Sequence, residues 1–579
     1  MEAAPDTLRA AAVTADSPTV VSLPDTAHVS ASTGLREAVL QLPGLFLNDN
    51  GGYAGITTVS LHGLGSASTN ILFDGLKMRN LQSGQSDLGF LDLPTVSEAV
   101  VDYAQNTLSF RTRRPVFGSS PVAGDIRMAG ESFGTYRPSA VLDIRLSSGA
   151  ALSLNASMLR SRGDFPYGDG LRRQGNDITR YSGGFDLFAG NWHLKALASS
   201  SDRGAPGSTV WPSEDRQEDR NMLLQGTFAK ALGPRWTLVL AAKASRDVIL
   251  YHSAWEDSEY AQNSLQFNSV QKYSLTRAWT VSLEAGVDAD DLASTAYDAF
   301  RFTGHATLGS SLVLGRLVVD AALEYVGESD RGGLSRNSLS PSVQLKLDIA
   351  EGLSFRSFAR RARRLPTFNE LYYVGYGNPA LKAEDAFLSD AGIGWHRAEG
   401  SRWRTGIRLD GFYNAMRDKI ASAPSPENPN FWYPYNVASV RTTGLDALAS
   451  VRYAPDKRTV LNARIRYSLQ DAFDTSGGGA ARLPYIARHS VVADLSAERG
   501  PWTLSAVWNL RAGRSDASGA MPDWNTLDLS LTRRIGLYGP DSAVIAGIGA
   551  RNLNGCRYEI SSGYPMPGRS FNAFIEIKF

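Results

Sequence analysis

From about residue 124 to its end the chain keeps one rhythm, segments of alternating apolar and polar residues cut by turns. Leu152, Leu154, Ala156 and Met158 alternate with Ser153, Asn155 and Ser157; Leu527, Leu529 and Leu531 alternate with Thr526, Asp528, Ser530 and Thr532. The closing stretch RSFNAFIEIKF sets Phe571, Ala573, Ile575, Ile577 and Phe579 on one side and Asn572, Glu576 and Lys578 on the other, with Phe574 as the exception. A period of two is the mark of a strand with one apolar face. Read this way, the sequence predicts 22 strands, the first over 124–133 and the last over 567–579.

A soluble sandwich shows the same alternation. The connections separate the two readings. Short turns (SSG at 147, AGN at 189, GPR at 233, GSS at 309, AEG at 350, RGP at 499) alternate with long polar stretches near 162–179, 202–219, 363–383, 420–432, 471–484 and 553–566. One trimmed end and one elaborate end, with an even strand number, is the pattern of an outer-membrane barrel. Trp192, Trp236, Trp279, Trp403 and Trp502 each fall just after a predicted short turn, as an aromatic belt at one membrane rim requires. The fold expected is mainly β: a 22-stranded antiparallel transmembrane barrel over 124–579 whose last strand closes the cylinder.

Residues 35–123 follow a different pattern. LREAVLQLPG places Leu35, Val39, Leu40 and Leu42 at near-helical spacing before a Pro-Gly stop. Short strands are expected at TTVSLHG (from 57), NILFDGLKM (from 70) and AVVDYAQN (from 99). A barrel of 22 strands leaves a lumen that needs a plug, and this small α/β globule is positioned to supply it. Residues 1–34 read as a flexible leading segment. They lack a basic stretch followed by an apolar run, so a secretion leader is expected to have been removed.

Four separated stretches carry a specific resemblance. VSLHGLGSASTNILFDGLKM resembles the plug signature of TonB-dependent outer-membrane transporters, with His62-Gly63 where that family has Arg-Gly, and with Asp74-Gly75 intact. FGSSPVAGDIRM at 117 is similar to the family's plug-to-barrel junction through Gly118 and Gly124. RRARRLPTFNELYYVGYGNPALKAED at 360 and NLNGCRYEISSGYPMPGRSFNAFIEIKF at 552 are similar to two further family stretches, with Leu365 replacing an alanine. The resemblance implies an active transporter in the bacterial outer membrane, with corrinoid and ferric-siderophore receptors as the nearest types. It also implies a TonB-type energy-coupling partner that grips a Ton box, for which Asp6, Thr7, Leu8, Arg9 and Ala10 are the candidates. Such a box adds to a sheet edge through its backbone.

Ligand contacts are expected from plug apices and external loops. On the plug these are Asn50, Tyr53, Gln82, Gln85 and Asp87; on the loops, Phe368, Tyr372, Tyr373, Tyr376, Trp432, Tyr433 and Tyr435, whose rings form an apolar wall for a large ligand. Asp164, Asp169 and Asp177 offer oxygen ligands for a structural calcium, although their irregular spacing and intervening arginines favour ordinary ion pairs. No cofactor is otherwise required. The mixed-charge run SEDRQEDR at 213 reads as a solvated loop. Haem is demoted because no histidine falls between Arg360 and Glu384.

Composition removes other classes. A net charge of +1 and pI near 7.8 leave no basic excess for nucleic acid. The single cysteine, Cys556, allows no intrachain disulfide. With a mean hydropathy of −0.21, no stretch approaches the roughly 18 apolar residues of a membrane helix. No nucleophile elbow, metal-binding histidine pair or phosphate loop is present, so catalysis is not expected. The partners expected are membrane lipid, a metal chelate and the coupling protein, and a monomer is expected. Two rivals remain, a passive porin and a surface adhesin or enzyme carried on a barrel.

Overall fold

Along the strand Asp257–Ser274, Leu265 is 61% exposed, Gln266 6% and Phe267 46%. This inverts the usual order of a folded protein. Apolar side chains point outward around the wall and polar ones point into the lumen, so the surrounding solvent is hydrocarbon. The computed structural model describes residues 25–29, 34–333, 335–397, 402–424, 432–476, 481–516, 518–537 and 542–579.

The main sheet contains 24 segments, of which Thr135–Tyr136 and Ala481–Arg482 are two-residue extensions, leaving 22 antiparallel strands from Val122–Glu131 to Ser570–Lys578. The last strand pairs with the first, Ile577 opposite Ile126, and closes the cylinder. Closure extends to the final residue: the Gly124 amide donates to the Phe579 carbonyl at 2.9 Å, and the Phe579 amide donates back at 3.1 Å. Gly124 is required there because a Cβ would lie 2.3 Å from the Val141 carbonyl oxygen.

Trp192, Trp236, Trp279, Trp403 and Trp502 are each the first residue of a strand, and all five are exposed. They form a belt at the short-turn rim, the periplasmic one in this architecture. Several strands run well past the 9–11 residues needed to cross a bilayer: Trp403–Pro424 has 22 residues and Trp432–Asp456 has 25.

Three sequence expectations need correction for that reason. The stretch near 202–219 is largely strand, since Trp192–Gly207 is followed closely by Pro212–Ala231, and the stretch near 420–432 begins inside Trp403–Pro424 and ends on Trp432, the first residue of Trp432–Asp456. SEDRQEDR lies within Pro212–Ala231 and is not a loop. Above the lipid both faces of a strand are wet, so alternation fades while the hydrogen-bond ladder continues. The turn placed at GSS is also displaced: strand Ala299–Leu314 runs through it, and the chain reverses at Gly315, whose φ of +63° suits a tight turn.

Inside the barrel sits a plug. Its helix Leu35–Leu40 turns Leu35, Ala38 and Val39 into the core, with Leu42 just beyond, as the helical spacing requires. Its sheet has five strands, β1 (Asp25–His28), β4 (Asn70–Phe73), β5 (Leu76–Lys77), β6 (Val96–Asp102) and β7 (Thr107–Thr112), in the order β1-β6-β7-β4-β5, with β4 and β7 parallel. A separate hairpin pairs β2 (Leu45–Asp49) with β3 (Thr57–Leu61). Phe73, Leu108 and Phe110 are fully buried at the centre of this core.

Candidate functional site

The plug's polar turns reach the lumen wall. Asp74 and Gly75, both at positive φ, make the tight β4-β5 turn. Asp74 accepts hydrogen bonds from the Thr112 amide (2.9 Å) and hydroxyl (2.7 Å). From the wall, Lys195 sits 3.2 Å from Asp74 and 2.9 Å from Asp186, with its ammonium 4.3 Å from the centre of the Phe73 ring. Burial pushes the Asp74 carboxyl up, but the positive charge of Lys195 and His193 and the Thr112 hydrogen bonds outweigh it, holding the group below the usual carboxylate range. Further pairs tie plug to wall: Lys77 to Asp288 (3.4 Å), Arg79 to Asp290 (2.6 Å), Asp87 to Arg203 (3.2 Å) and Asp92 to Arg137 (2.5 Å). His62 replaces the expected arginine in the same kind of role: its Nε2 lies 2.8 Å from Asp446, and its ring stacks on Phe412 at 3.9 Å.

Beside the β2-β3 hairpin, between the plug and the seam side of the barrel, lies an open cavity of about 1600 Å³ counting the space that is open to solvent. Its floor includes Gly52 and Tyr53, its wall Asn509, Arg511, Trp524 and Arg551, and its loop side Phe165, Tyr485, Arg514 and Tyr558. The Tyr53 hydroxyl donates to Glu131 at 2.7 Å and accepts from Arg551 at 3.1 Å. Burial drives the Tyr53 phenol up, against the opposing pull of Arg551 and Arg137. A second void of about 1160 Å³ runs toward Glu576 and Lys578 at the short-turn end. The two voids share Asp92 and Arg137.

Of the plug and loop residues singled out from the sequence, Tyr53 lines the large cavity. Asn50 is half-buried in the neighbouring turn. Asp87 caps the short helix Leu88–Leu91 and pairs with Arg203, a structural task. Gln82 and Gln85 belong to the turn that opens at Asn80, where the Gln82 amide donates to the Asn80 side chain and the Asn80 amide to the Gln85 carbonyl. Phe368 and Tyr372 lie on the loop helix Phe368–Tyr372, which is fastened to that turn. Phe368 packs on Leu81, Leu292 and Ala299, and the Asn369 amide donates to the Gln82 carbonyl at 3.0 Å.

The Tyr372 hydroxyl bonds to Asp330, and burial together with that carboxylate pushes its phenol up to about 12. Tyr373 meets Tyr297 edge to face at 5.9 Å, and the Tyr376 hydroxyl bonds to Ser422. Trp432, Tyr433 and Tyr435 stand in the strand Trp432–Asp456, not in a loop, and the two tyrosine rings lie 5.2 Å apart. The Ton-box residues Asp6, Thr7, Leu8, Arg9 and Ala10 lie outside the described residues.

The three aspartates considered for calcium are not brought together. Asp164 faces Arg172 (3.4 Å), Asp169 faces Arg557 (2.9 Å) and Asp177 faces Arg216 (3.1 Å). Among the described residues no three metal-binding side chains converge. Sequence reasoning missed Arg137, Asn509, Arg511, Arg514 and Trp524. The four on the closing strands and their loop carry no signal beyond the ordinary polar lumen face.

A closed barrel of 22 strands with its lumen filled by a tethered plug, and a cavity on the loop side of that plug, is a gated outer-membrane receptor. Family comparison agrees: residues 115–553 match the model for the TonB dependent receptor-like β-barrel, and residues 12–113 match that for the TonB-dependent receptor plug domain. The chain belongs to the TonB-dependent receptor family and sits in the outer membrane.

Among similar proteins, the vitamin B12 transporter BtuB of Vibrio vulnificus is 22% identical over 620 residues, covering 97% of this chain and 92% of that protein. Among solved structures, the copper transporter OprC superposes with a TM-score of 0.78 at 14% identity, covering 97% of this chain and 99% of that one. The ferric citrate transporter FecA gives 0.76 at 12% identity, covering 98% of each chain.

Proposed function

We propose that the protein is an energy-coupled transporter that captures a scarce, large metal chelate, a ferric siderophore or a cobalamin-like corrinoid, in the cavity above the plug. On this reading the cargo passes to the periplasm when a TonB-type partner pulls the N-terminal segment at Asp6–Ala10. The protein acts as a monomer and performs no chemistry on its cargo.

The observation that carries the reading is the occupied lumen, with a large open cavity on its loop side. A passive pore has no use for a globule held to its wall by buried ion pairs. A ligand bound in a cavity floored by the plug does not leave inward until the plug shifts. Those ion pairs suit the task, since a buried pair contributes little net stability but holds one geometry, and rewetted partners give up little. The void that meets the cavity at Asp92 and Arg137 supports a release path along the seam. The names of similar proteins, a vitamin B12 transporter, a copper transporter and a ferric citrate transporter, favour a metal-bearing cargo.

The experiment is uptake of radiolabelled chelates by cells with and without the coupling protein, beside binding by purified protein. Leu8→Pro is expected to abolish uptake and leave binding intact; unchanged uptake removes the proposed box. Swelling of proteoliposomes in small sugars would favour the porin rival instead.

A further inference from the structure

The large cavity carries more positive charge than its own carboxylates consume. Five arginines line it (Arg36, Arg137, Arg511, Arg514 and Arg551), against three carboxylates, Asp92, Glu131 and Asp528. Arg36 pairs with Asp49 at 2.5 Å, and Arg137 and Arg551 pair with Asp92 and Glu131. Arg511 and Arg514 differ. They are 8% and 5% exposed, and among the described residues no carboxylate lies in ion-pair contact with either, although Asp523 and Glu559 act on Arg514 from farther off. Arg511 donates to the Leu510 carbonyl at 2.9 Å, and Arg514 donates to the Glu559 carbonyl at 2.8 Å and to that of Ile560. Backbone carbonyls satisfy some of the N–H groups but do not neutralise two guanidiniums. Buried charge with no carboxylate in contact is costly and persists where something else demands it.

Neighbouring groups show the same incompleteness. The indole Nε1 of Trp524 is buried without a hydrogen-bond partner, as are Oδ1 of Asn509 and Oδ1 of Asn176, residues 6% and 2% exposed that line the same cavity. Trp524 lies beneath the Arg511 guanidinium, 5.8 Å from ring centre, and its ring packs on Tyr558 at 4.4 Å. One side of the cavity thus offers two cations and an indole N–H beside an aromatic surface, with amide groups for a ligand hydroxyl or N–H.

We propose that this cavity selects an anionic chelate. Carboxylate or catecholate oxygens would sit on Arg511, Arg514 and the Trp524 indole, and the flat part of the ligand on Trp524 and Tyr558. The inference rests on the transport reading and narrows its cargo toward negatively charged iron complexes and away from uncharged corrinoids. Guanidinium forks suit such oxygens in both geometry and charge.

The test is tryptophan quenching of purified full-length protein in detergent. Ferric citrate and an iron tris-catecholate serve as anionic probes; cyanocobalamin and a neutral ferric trihydroxamate serve as uncharged ones. The anionic probes are expected to bind at least about tenfold more tightly, with an affinity that falls as salt rises. Arg511→Gln with Arg514→Gln is expected to weaken anionic binding by about tenfold or more, and Arg514→Lys, which keeps the charge, to weaken it less. The heat-resistant folded band on gels identifies variants that still fold. Equal or tighter binding of an uncharged probe, no quenching by either anionic probe, or indifference to the double substitution in folded protein would overturn the proposal. An uncharged probe that binds and enters cells only with the coupling protein would leave transport standing and remove the charge assignment. Anionic binding with uptake that ignores the coupling protein would do the reverse.

Discussion

Gly124 shows how much the closure of the cylinder asks of one residue. Any side chain there meets the Val141 carbonyl and then the Phe579 ring at 3.1 Å, and overpacking of that kind costs about 1–3 kcal/mol. Gly124→Val should therefore lower the temperature at which the folded band disappears on gels, while Gly149→Ala, on a turn with open space around its Cβ, should not. Lys195 illustrates the opposite dependence, on charge. Lys195→Ala removes the buried ammonium that Asp74 and Asp186 share, a loss of about 3–5 kcal/mol for a broken buried pair, and should speed hydrogen exchange at residues 70–77 and 107–112.

The depressed carboxyl of Asp74 adds a pH signature with a definite sign. Because its folded value lies below the unfolded one of about 3.9, its contribution is present at neutral pH. It declines as pH falls below the unfolded value and is gone once pH passes the folded one. Exchange protection of β4 and β5 should hold from neutral pH to about pH 4 and then drop, and Asp74→Asn should flatten that acid-side fall.

At the scale of elements, the loop spanning 365–383 is a clamp. Thr367 and Glu370 form a capping box at the N-terminus of its helix, and Phe368 fills the space between Leu81, Leu292 and Ala299. Thr367→Ala should cost about 1 kcal/mol and Phe368→Ala about 3–5 kcal/mol. Both should increase protease cleavage within 365–383, Phe368→Ala the more strongly, without changing the barrel's heat resistance. The aromatic residues of this loop were visible in the sequence as a surface for ligand. Their actual partners, a plug turn and an adjacent strand, depend on where the plug sits, which no local pattern encodes.

Strand boundaries divide in the same manner. Inside the bilayer, lipid on one face and water or plug on the other enforce the two-residue alternation, so the strands and the tryptophan rim were readable. Beyond the bilayer that constraint lapses, which is why the polar start of Pro212–Ala231 reads as a loop. The turn at Gly315 was hidden by a more turn-like Gly-Ser-Ser inside the strand.

For the molecule as a whole, the inversion of polarity and the tethered plug are two parts of one device. Lumen-facing residues such as Asp186, Asp288, Asp290 and Asp446 are buried because the plug covers them, and each meets a cation or imidazole either brought by the plug or beside it. The sequence showed that these positions are polar and that a globule precedes the barrel. It did not show which polar positions face the plug and which face a void, and for that reason Arg511 and Arg514 passed unnoticed beside Tyr53.

Movement of the plug against this wall is what transport requires, and it is testable by stopping it. With Cys556 replaced by Ser, cysteines at positions 79 and 290, where Arg79 and Asp290 now pair at 2.6 Å, are joined by a short bis-maleimide in intact cells. Uptake is then followed for whichever probe chelate the purified protein binds. Uptake should stop in proportion to cross-linking while binding persists, and the uncrosslinked double variant should still transport. Full uptake through a quantitatively cross-linked protein would contradict a plug that moves to release its cargo.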